Sequence, residues 1–226
     1  MTATIAAVHD ETTRMRVYRL RLPETMAFVP GQHVTIRLTA PDGYTATRSY
    51  SIASAPTQDG LELELLIEHL GEGEVSGYLH DQLTVGDRLE VRGPFGGWFV
   101  WNGRSPALLV GGGSGMAPLM SMLRHQRAAA PAVPMHLVVS LRSPAELPFA
   151  AELTTQTTVA FTRRTPDGAP RPAGRLTAAD LQPVLVPGAT AYVCGSSGFA
   201  EHASQLLVDV GVPTGSIRVE RYGSTA

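Results

Sequence analysis

At 226 residues and 24.0 kDa, with 43% hydrophobic and 17% charged residues, the chain fits one large or two small domains with a real core. A formal net charge of −2 and a pI near 6.4 give no sign of a nucleic-acid or acidic-membrane partner. The single cysteine, Cys194, excludes intrachain disulfides and any chain-encoded iron–sulfur cluster, and all 18 basic residues are arginine, whose forked guanidinium suits phosphates.

The opening residues carry no basic stretch followed by a long apolar one, so no signal peptide is expected. No apolar run approaches the roughly 20 residues of a membrane helix, so no membrane insertion is expected and the chain reads as cytoplasmic. From about Ala3 to Val100 the pattern is β-like. Met15–Leu22 and Gln32–Leu38 alternate, Leu61–Leu70 continues the pattern, and Asp87–Gly96 adds a short strand. Turn signals at Pro30-Gly31, Asp42-Gly43, Asp59-Gly60 and Val85-Gly86-Asp87 separate them, which predicts an antiparallel β-barrel or sandwich. A helical piece is expected from near Val75 across the barrel.

After Asn102-Gly103-Arg104-Ser105-Pro106 the rhythm changes. Continuous apolar runs at Pro106–Gly112, Met135–Arg142, Thr158–Arg164 and Ala189–Ser196 alternate with helix candidates at Ala117–Ala129, Ser143–Leu153, Thr177–Leu181 and Gly198–Val210. Buried strands alternating with helices predict an α/β doubly wound parallel sheet. Two domains follow, 1–102 and 103–226.

Four stretches carry candidate chemistry. In "LLVGGGSGMAPL" a strand enters a glycine cluster and leaves into a helix, offering backbone N–H groups and a positive helix end to an anion. The spacing is not G-x-G-x-x-G, and taken alone the stretch is a phosphate-binding turn or a plain connection. In "TRSYSIAS", Arg48 suits a phosphate, Tyr50 a ring and Ser51 a hydrogen bond; an ordinary strand reads the same way. "YVCGSSGF" ends a strand at Cys194-Gly195, either in a ligand crevice or simply packed. "SIRVERYGSTA" places Glu220 and Tyr222 in a terminal strand.

Together these stretches resemble the ferredoxin–NADP reductase family. The matching pieces, in order, are Arg48-Ser49-Tyr50-Ser51, Gly73-Glu74-Val75-Ser76, Gly112-Gly113-Ser114-Gly115-Met116-Ala117-Pro118, Cys194-Gly195 and Glu220-Arg221-Tyr222. The resemblance spans essentially the whole chain and implies an NAD(P)H-dependent flavoprotein reductase. It implies FAD, with FMN as the lesser alternative, in the barrel, and NADPH or NADH as substrate of the α/β domain. By resemblance, Arg48 binds the flavin pyrophosphate, Ser49 belongs to the same motif, Tyr50 packs on the ring system, and Ser51 bonds near its N5. Gly73, Glu74, Val75 and Ser76 form the helix end under the pyrophosphate, and Ile67 to His69 line the flavin. Gly112, Gly113, Ser114, Gly115, Met116, Ala117 and Pro118 cradle the nicotinamide cofactor's pyrophosphate. Cys194 and Gly195 lie beside the nicotinamide, Glu220 joins Ser51 in a polar constellation, and Tyr222 covers the flavin face. Gly223 to Ala226 follow it and bear on how it does so.

Arg142, Arg163 and Arg175 stand where relatives hold a 2′-phosphate, which favours NADPH. The resemblance implies a separate redox acceptor: a ferredoxin, a flavodoxin or an oxygenase component. A monomer is expected. A free-flavin or small-molecule reductase, and a nucleotide-binding electron-transfer or regulatory subunit with little activity alone, are the alternatives.

Overall fold

The computed structural model describes residues 1–71 and 73–222, so the Gly223–Ala226 tail lies outside the described residues. Two sheets account for the strands. The first is antiparallel and is built from β1 (Thr2–Asp10), β2 (Met15–Arg21), β3 (His33–Thr39), β4 (Thr45–Ser51), β5 (Glu62–Glu68) and β6 (Arg88–Phe95). Its order is β4-β3-β6-β1-β2-β5, and an Ile52–Leu65 bridge joins the two edges into a barrel. Helix α1 (Glu74–Gln82) packs against β4 near that closure.

The second sheet is wholly parallel, in the order β11-β10-β7-β8-β9. Its strands are β7 (Ala107–Gly112), β8 (Met135–Leu141), β9 (Thr157–Phe161), β10 (Thr190–Ser196) and β11 (Ile217–Tyr222). Helices α2 (Met116–Ala129), α3 (Ala178–Leu181) and α4 (Ser197–Asp209) connect them. Every residue of β7 is buried, as a central parallel strand covered on both faces requires. The chain winds from β7 towards β9, then crosses to β10 on the other side. The β7–β10 seam is therefore the switch point, where ligands of such sheets bind.

Alternation along the barrel strands sorts two cores. Tyr18 and Leu20 of β2 and Leu63, Leu65 and Ile67 of β5 fill the barrel interior. Met15, Val17 and Leu66 point the other way, and join Phe99, Trp101 and the α2 residues Leu119, Met120, Met122 and Leu123 in one continuous cluster. The outer face of β2 and β5 is thus buried by the second domain.

The expected helix at Ser143–Leu153 does not form. Single turns stand at Pro144–Glu146 and Ala150–Glu152. Pro148 disfavours helical geometry at Leu147, whose ψ is 102°, and Phe149 is left-handed with φ 55°. At the other helices the expected and observed boundaries differ by a residue or so.

Candidate functional site

On the barrel side, strand alternation divides the Arg48–Ser51 stretch between two faces. Arg48 and Tyr50 share the face of Ala46, and Tyr50 packs on the barrel core. Arg48 is exposed, and among the described residues its guanidinium makes one hydrogen bond, from Nη1 to its neighbour's carbonyl, Thr47 O, at 2.8 Å. Burial pushes the Tyr50 phenol well up, so it stays neutral. Ser49 and Ser51 face the other way, and Ser51 lies directly opposite His33 of β3.

Gly73 caps α1, and among the described residues no side chain satisfies the amides of Glu74, Val75 and Ser76 in the first turn. A Cβ at Gly73 would strike Ser76 Oγ, which donates to Gly73 O at 3.3 Å. An open helix end with an unpaired guanidinium on the strand beside it suits a pyrophosphate. Val75 itself is core. Ile67 is less available than the sequence implied. Its side chain sits in the barrel interior and its carbonyl is 3.0 Å from His80 Nε2. The partly exposed His69 lies against His80, ring centroids 5.2 Å apart.

On the sheet side, Gly111 and Gly112 end β7, a single turn spans Gly113–Gly115, and α2 starts at Met116 with Pro118 in its first turn. Gly113 has φ 58°, which favours glycine. A Cβ at Gly112 would come within 2.6 Å of the Phe199 ring, and one at Gly115 would strike Cys194 O. No side chain caps α2. Ser114 Oγ donates to Glu68 Oε2 across the crevice at 2.8 Å, and Arg14 holds the other oxygen of that carboxylate at 3.1 Å.

Arg142 follows β8 and Arg163 follows β9, with Arg163 N–H donating to Arg142 O at 2.9 Å. Gly174 N–H donates to Phe161 O at 2.9 Å, bringing Arg175 to the same edge. All three arginines are exposed, and none forms an ion pair among the described residues. Arg171, by contrast, is paired with Asp180 at 2.6 Å.

The two sides meet at the β10–β11 seam. Cys194 pairs with Glu220 and Ser196 with Tyr222. Cys194 is buried, and burial, followed by the charge of Glu220, pushes its thiol well up, so it is not a thiolate. Burial raises the Glu220 carboxyl to about 7, and its Oε2 is buried without a hydrogen-bond partner. The other oxygen, Oε1, lies 3.9 Å from His33 Nδ1. Burial lowers the His33 imidazole, so near neutral pH it brings no charge to the carboxyl. Tyr222 Oη donates to Gly112 O at 2.8 Å, and burial raises its phenol to about 12. The terminal aromatic therefore lies against the glycine turn.

The register explains why Ser51 and Glu220 belong together: His33, opposite one, reaches the other. His33 escaped the sequence reading, and Glu68 entered it only within the Ile67 to His69 stretch, with no role of its own. Nothing local marks either residue, because their roles follow from strand register and from the meeting of the two domains.

A half-buried carboxyl with one orphan oxygen, an unpaired arginine beside an open helix end and a glycine-lined turn together fit a flavin and a nicotinamide dinucleotide. The sequence matches the oxidoreductase FAD-binding domain family over residues 2–100 and the oxidoreductase NAD-binding domain family over 109–205. It is 30% identical over 230 residues to the ferredoxin–NAD(P)(+) reductase component of naphthalene 1,2-dioxygenase/salicylate 5-hydroxylase systems of a Ralstonia species, covering 97% of this chain and 68% of that one. It is also 30% identical over 220 residues to the reductase component of a Rhodococcus jostii propane 2-monooxygenase, covering 90% of this chain and 58% of that one. Among solved structures, the flavohem-like FAD/NAD-binding domain of a Vibrio cholerae nitric oxide dioxygenase shares the fold, with TM-score 0.84, 22% identity and coverage of 99% and 98%. An Amycolatopsis cytochrome P450 reductase gives TM-score 0.81 at 29% identity, over 97% of this chain and 68% of that one.

The chain belongs to the ferredoxin–NAD(P) reductase family of FAD- and NAD-binding oxidoreductases. It is an NAD(P)H-dependent flavoprotein reductase.

Proposed function

We propose that this chain is the flavin- and nicotinamide-binding part of a reductase component that prefers NADPH and delivers electrons to a separate oxygenase or ferredoxin component. The observation that carries the reading is the half-buried Glu220 carboxyl, whose Oε2 is buried without a hydrogen-bond partner among the described residues where β10 and β11 meet the barrel. When bound, FAD takes a hydride from the nicotinamide and gives up its electrons singly or in pairs. In this reading the chain's residues bind, orient and manage protons. Arg48 and the α1 amides hold the flavin pyrophosphate, Tyr50 packs on the ring, Ile67 and His69 border it, and Ser51 donates to it. The turn from Gly112 to Pro118 holds the dinucleotide pyrophosphate, and Gly195 lets the chain pass Cys194 beside the nicotinamide. Glu220, its carboxyl raised to about 7, takes up and releases a proton near neutral pH and accepts hydrogen bonds at Oε2. Tyr222 leaves Gly112 O to cover the flavin.

Four features support the finer points. Arg142, Arg163 and Arg175 are exposed and unpaired at one sheet edge, which favours a 2′-phosphate. One cysteine cannot ligate a cluster, so the electrons leave for another centre. The boundary between domains 1–102 and 103–226 falls between β6 and β7. Among the described residues no helix is long and apolar enough to cross a membrane. The reading also takes the protein to be a cytoplasmic monomer.

The test is an absorbance spectrum of the purified protein followed by anaerobic addition of NADPH and, separately, NADH. Faster bleaching of a yellow protein by NADPH is the expected result, with electrons then passing to a ferredoxin or oxygenase component. Faster bleaching by NADH removes the arginine argument, and a protein that takes up neither FAD nor FMN removes the reading. Weak flavin retention with turnover of added flavin makes it a free-flavin reductase.

A further inference from the structure

Helix α2 begins in the glycine turn, so whatever orients α2 orients the dinucleotide site. One and two turns further along, α2 is tied to the barrel. Ser121 Oγ donates to Ser54 O at 2.7 Å, and Arg124 Nη1 donates to Ala53 O at 2.9 Å. Those carbonyls lie two and three residues beyond Ser51. The same Nη1 reaches Glu64 Oε2 of β5 at 2.8 Å. On its own domain, Arg124 Nε donates to Glu152 Oε2 at 2.9 Å, and Nη2 bonds the other oxygen of that carboxylate. The guanidinium carbon lies 4.8 Å from the Phe149 ring centroid. Phe149 is the left-handed residue of the β8–β9 connection, and its N–H crosses back to the barrel, donating to Glu11 Oε2 at 2.7 Å. Glu11, Glu64, Arg124, Phe149 and Glu152 line one cavity of about 200 Å³ between the domains.

We propose that Arg124 is the positioning residue that sets the angle between the barrel and the parallel sheet, and through α2 the registry of the nicotinamide on the flavin. The proposal rests on the flavoprotein reading above. The apolar interface holds the domains together, but hydrophobic contact is non-directional and tolerates sliding. A planar guanidinium with fixed donor directions does not. It bonds barrel backbone, a barrel carboxylate and a sheet-domain carboxylate at once, and stacks on a ring whose own amide spans the interface. Without it, Glu64 keeps Arg19, at 3.2 Å, and Glu152 keeps Arg127, whose Nη1 donates to its carbonyl at 2.9 Å, so each carboxylate has a cation of its own domain and none joins the two domains at this rim. A tilt about α2 then displaces the glycine turn relative to Ser51. Displacement of about 1 Å between reacting centres costs roughly 100-fold in rate.

The experiment compares the unaltered holoenzyme with Arg124→Met by three readouts. They are the affinities for FAD and ADP-ribose, the single-turnover rate of flavin reduction with its long-wavelength charge-transfer absorbance, and hydrogen exchange at the Phe149 amide. The expected result is FAD and ADP-ribose affinities within about twofold, reduction slower by roughly 10- to 100-fold with a weakened charge-transfer band, and faster exchange at Phe149. Glu64→Gln, which keeps the arginine, serves where Arg124→Met does not fold and should give the same pattern at smaller size. A normal rate and band in the variant overturns the proposal, as does unchanged protection of Phe149. An unaltered protein that binds FAD but is reduced by neither nicotinamide breaks the functional reading instead, and the Phe149 exchange still decides whether the clamp exists.

Discussion

At the barrel, an open helix end at Gly73 stands near a strand bearing an unpaired arginine; at the parallel sheet, a glycine turn is walled by the protein itself. In the proposed reading both cradle a pyrophosphate, but their glycines answer different demands. Gly115 is glycine because the Cys194 carbonyl occupies the place of its Cβ, and Gly112 because the Phe199 ring does. Only Gly113, at φ 58°, is demanded by backbone conformation. A glycine cluster at a strand end therefore reports tight internal packing at the switch point as much as ligand approach. The barrel cradle depends on one charge, so it should break by losing a side chain, and the sheet cradle by gaining one.

The largest expected effect is on the sheet side. Gly115→Ala places a Cβ against immovable backbone, and overpacking of this kind costs about 1–3 kcal/mol. Thermal unfolding should show a lowered midpoint, and ADP-ribose binding should be lost while bound flavin is retained. Arg48→Ala is the counterpart. Hydrogen bonds to charged groups contribute about 1.5–3 kcal/mol, so FAD affinity, read by flavin fluorescence on dilution, should fall roughly 10- to 150-fold. ADP-ribose affinity should not move. If both variants damage both sites equally, the cradles are not independent.

Smaller effects sharpen the seam between them. Burial raises the Glu220 carboxyl from its usual 4.5 to about 7, so the folded chain holds this proton more tightly than the unfolded chain. Its contribution to stability is fully present below about pH 4.5 and is lost as pH rises through about 7. Glu220→Gln should flatten the denaturation free energy across that window and remove an inflection near pH 7 from the rate of flavin reduction. The smallest effect belongs to the outer edge. Replacing Arg142 and Arg163 together by alanine should cut the NADPH-over-NADH preference in kcat/KM by about tenfold, the size of one lost exposed phosphate contact. An unchanged ratio would remove both residues from phosphate recognition.

Much of the architecture was legible locally. Alternation marked β2, β3, β5 and β6, continuous apolar runs marked the parallel strands β7 to β10, and the glycine turn lay where expected, whereas β1 stood only within the general β-like pattern. The helix expected at Ser143–Leu153 failed because Pro148 and the Phe149 N–H to Glu11 bond act against local periodicity. The three consecutive buried residues Leu65, Leu66 and Ile67 broke the two-residue rhythm for a tertiary reason: Leu66 faces the second domain. The candidate site was half legible. Arg48, Tyr50, Cys194 and Glu220 carry residue types whose chemistry suggests a role, whereas His33, Glu68 and Arg124 are ordinary polar residues until register and docking give them neighbours.

The sequence by itself determined the two kinds of sheet and their order along the chain, because side-chain periodicity and glycine placement act over a few residues. Tertiary structure alone decided that His33, the strand partner of Ser51, lies 3.9 Å from Glu220, that Tyr222 lies against Gly112, and that Arg124 spans both domains. Those contacts join residues far apart in the chain, and their energies depend on burial, which no local pattern encodes.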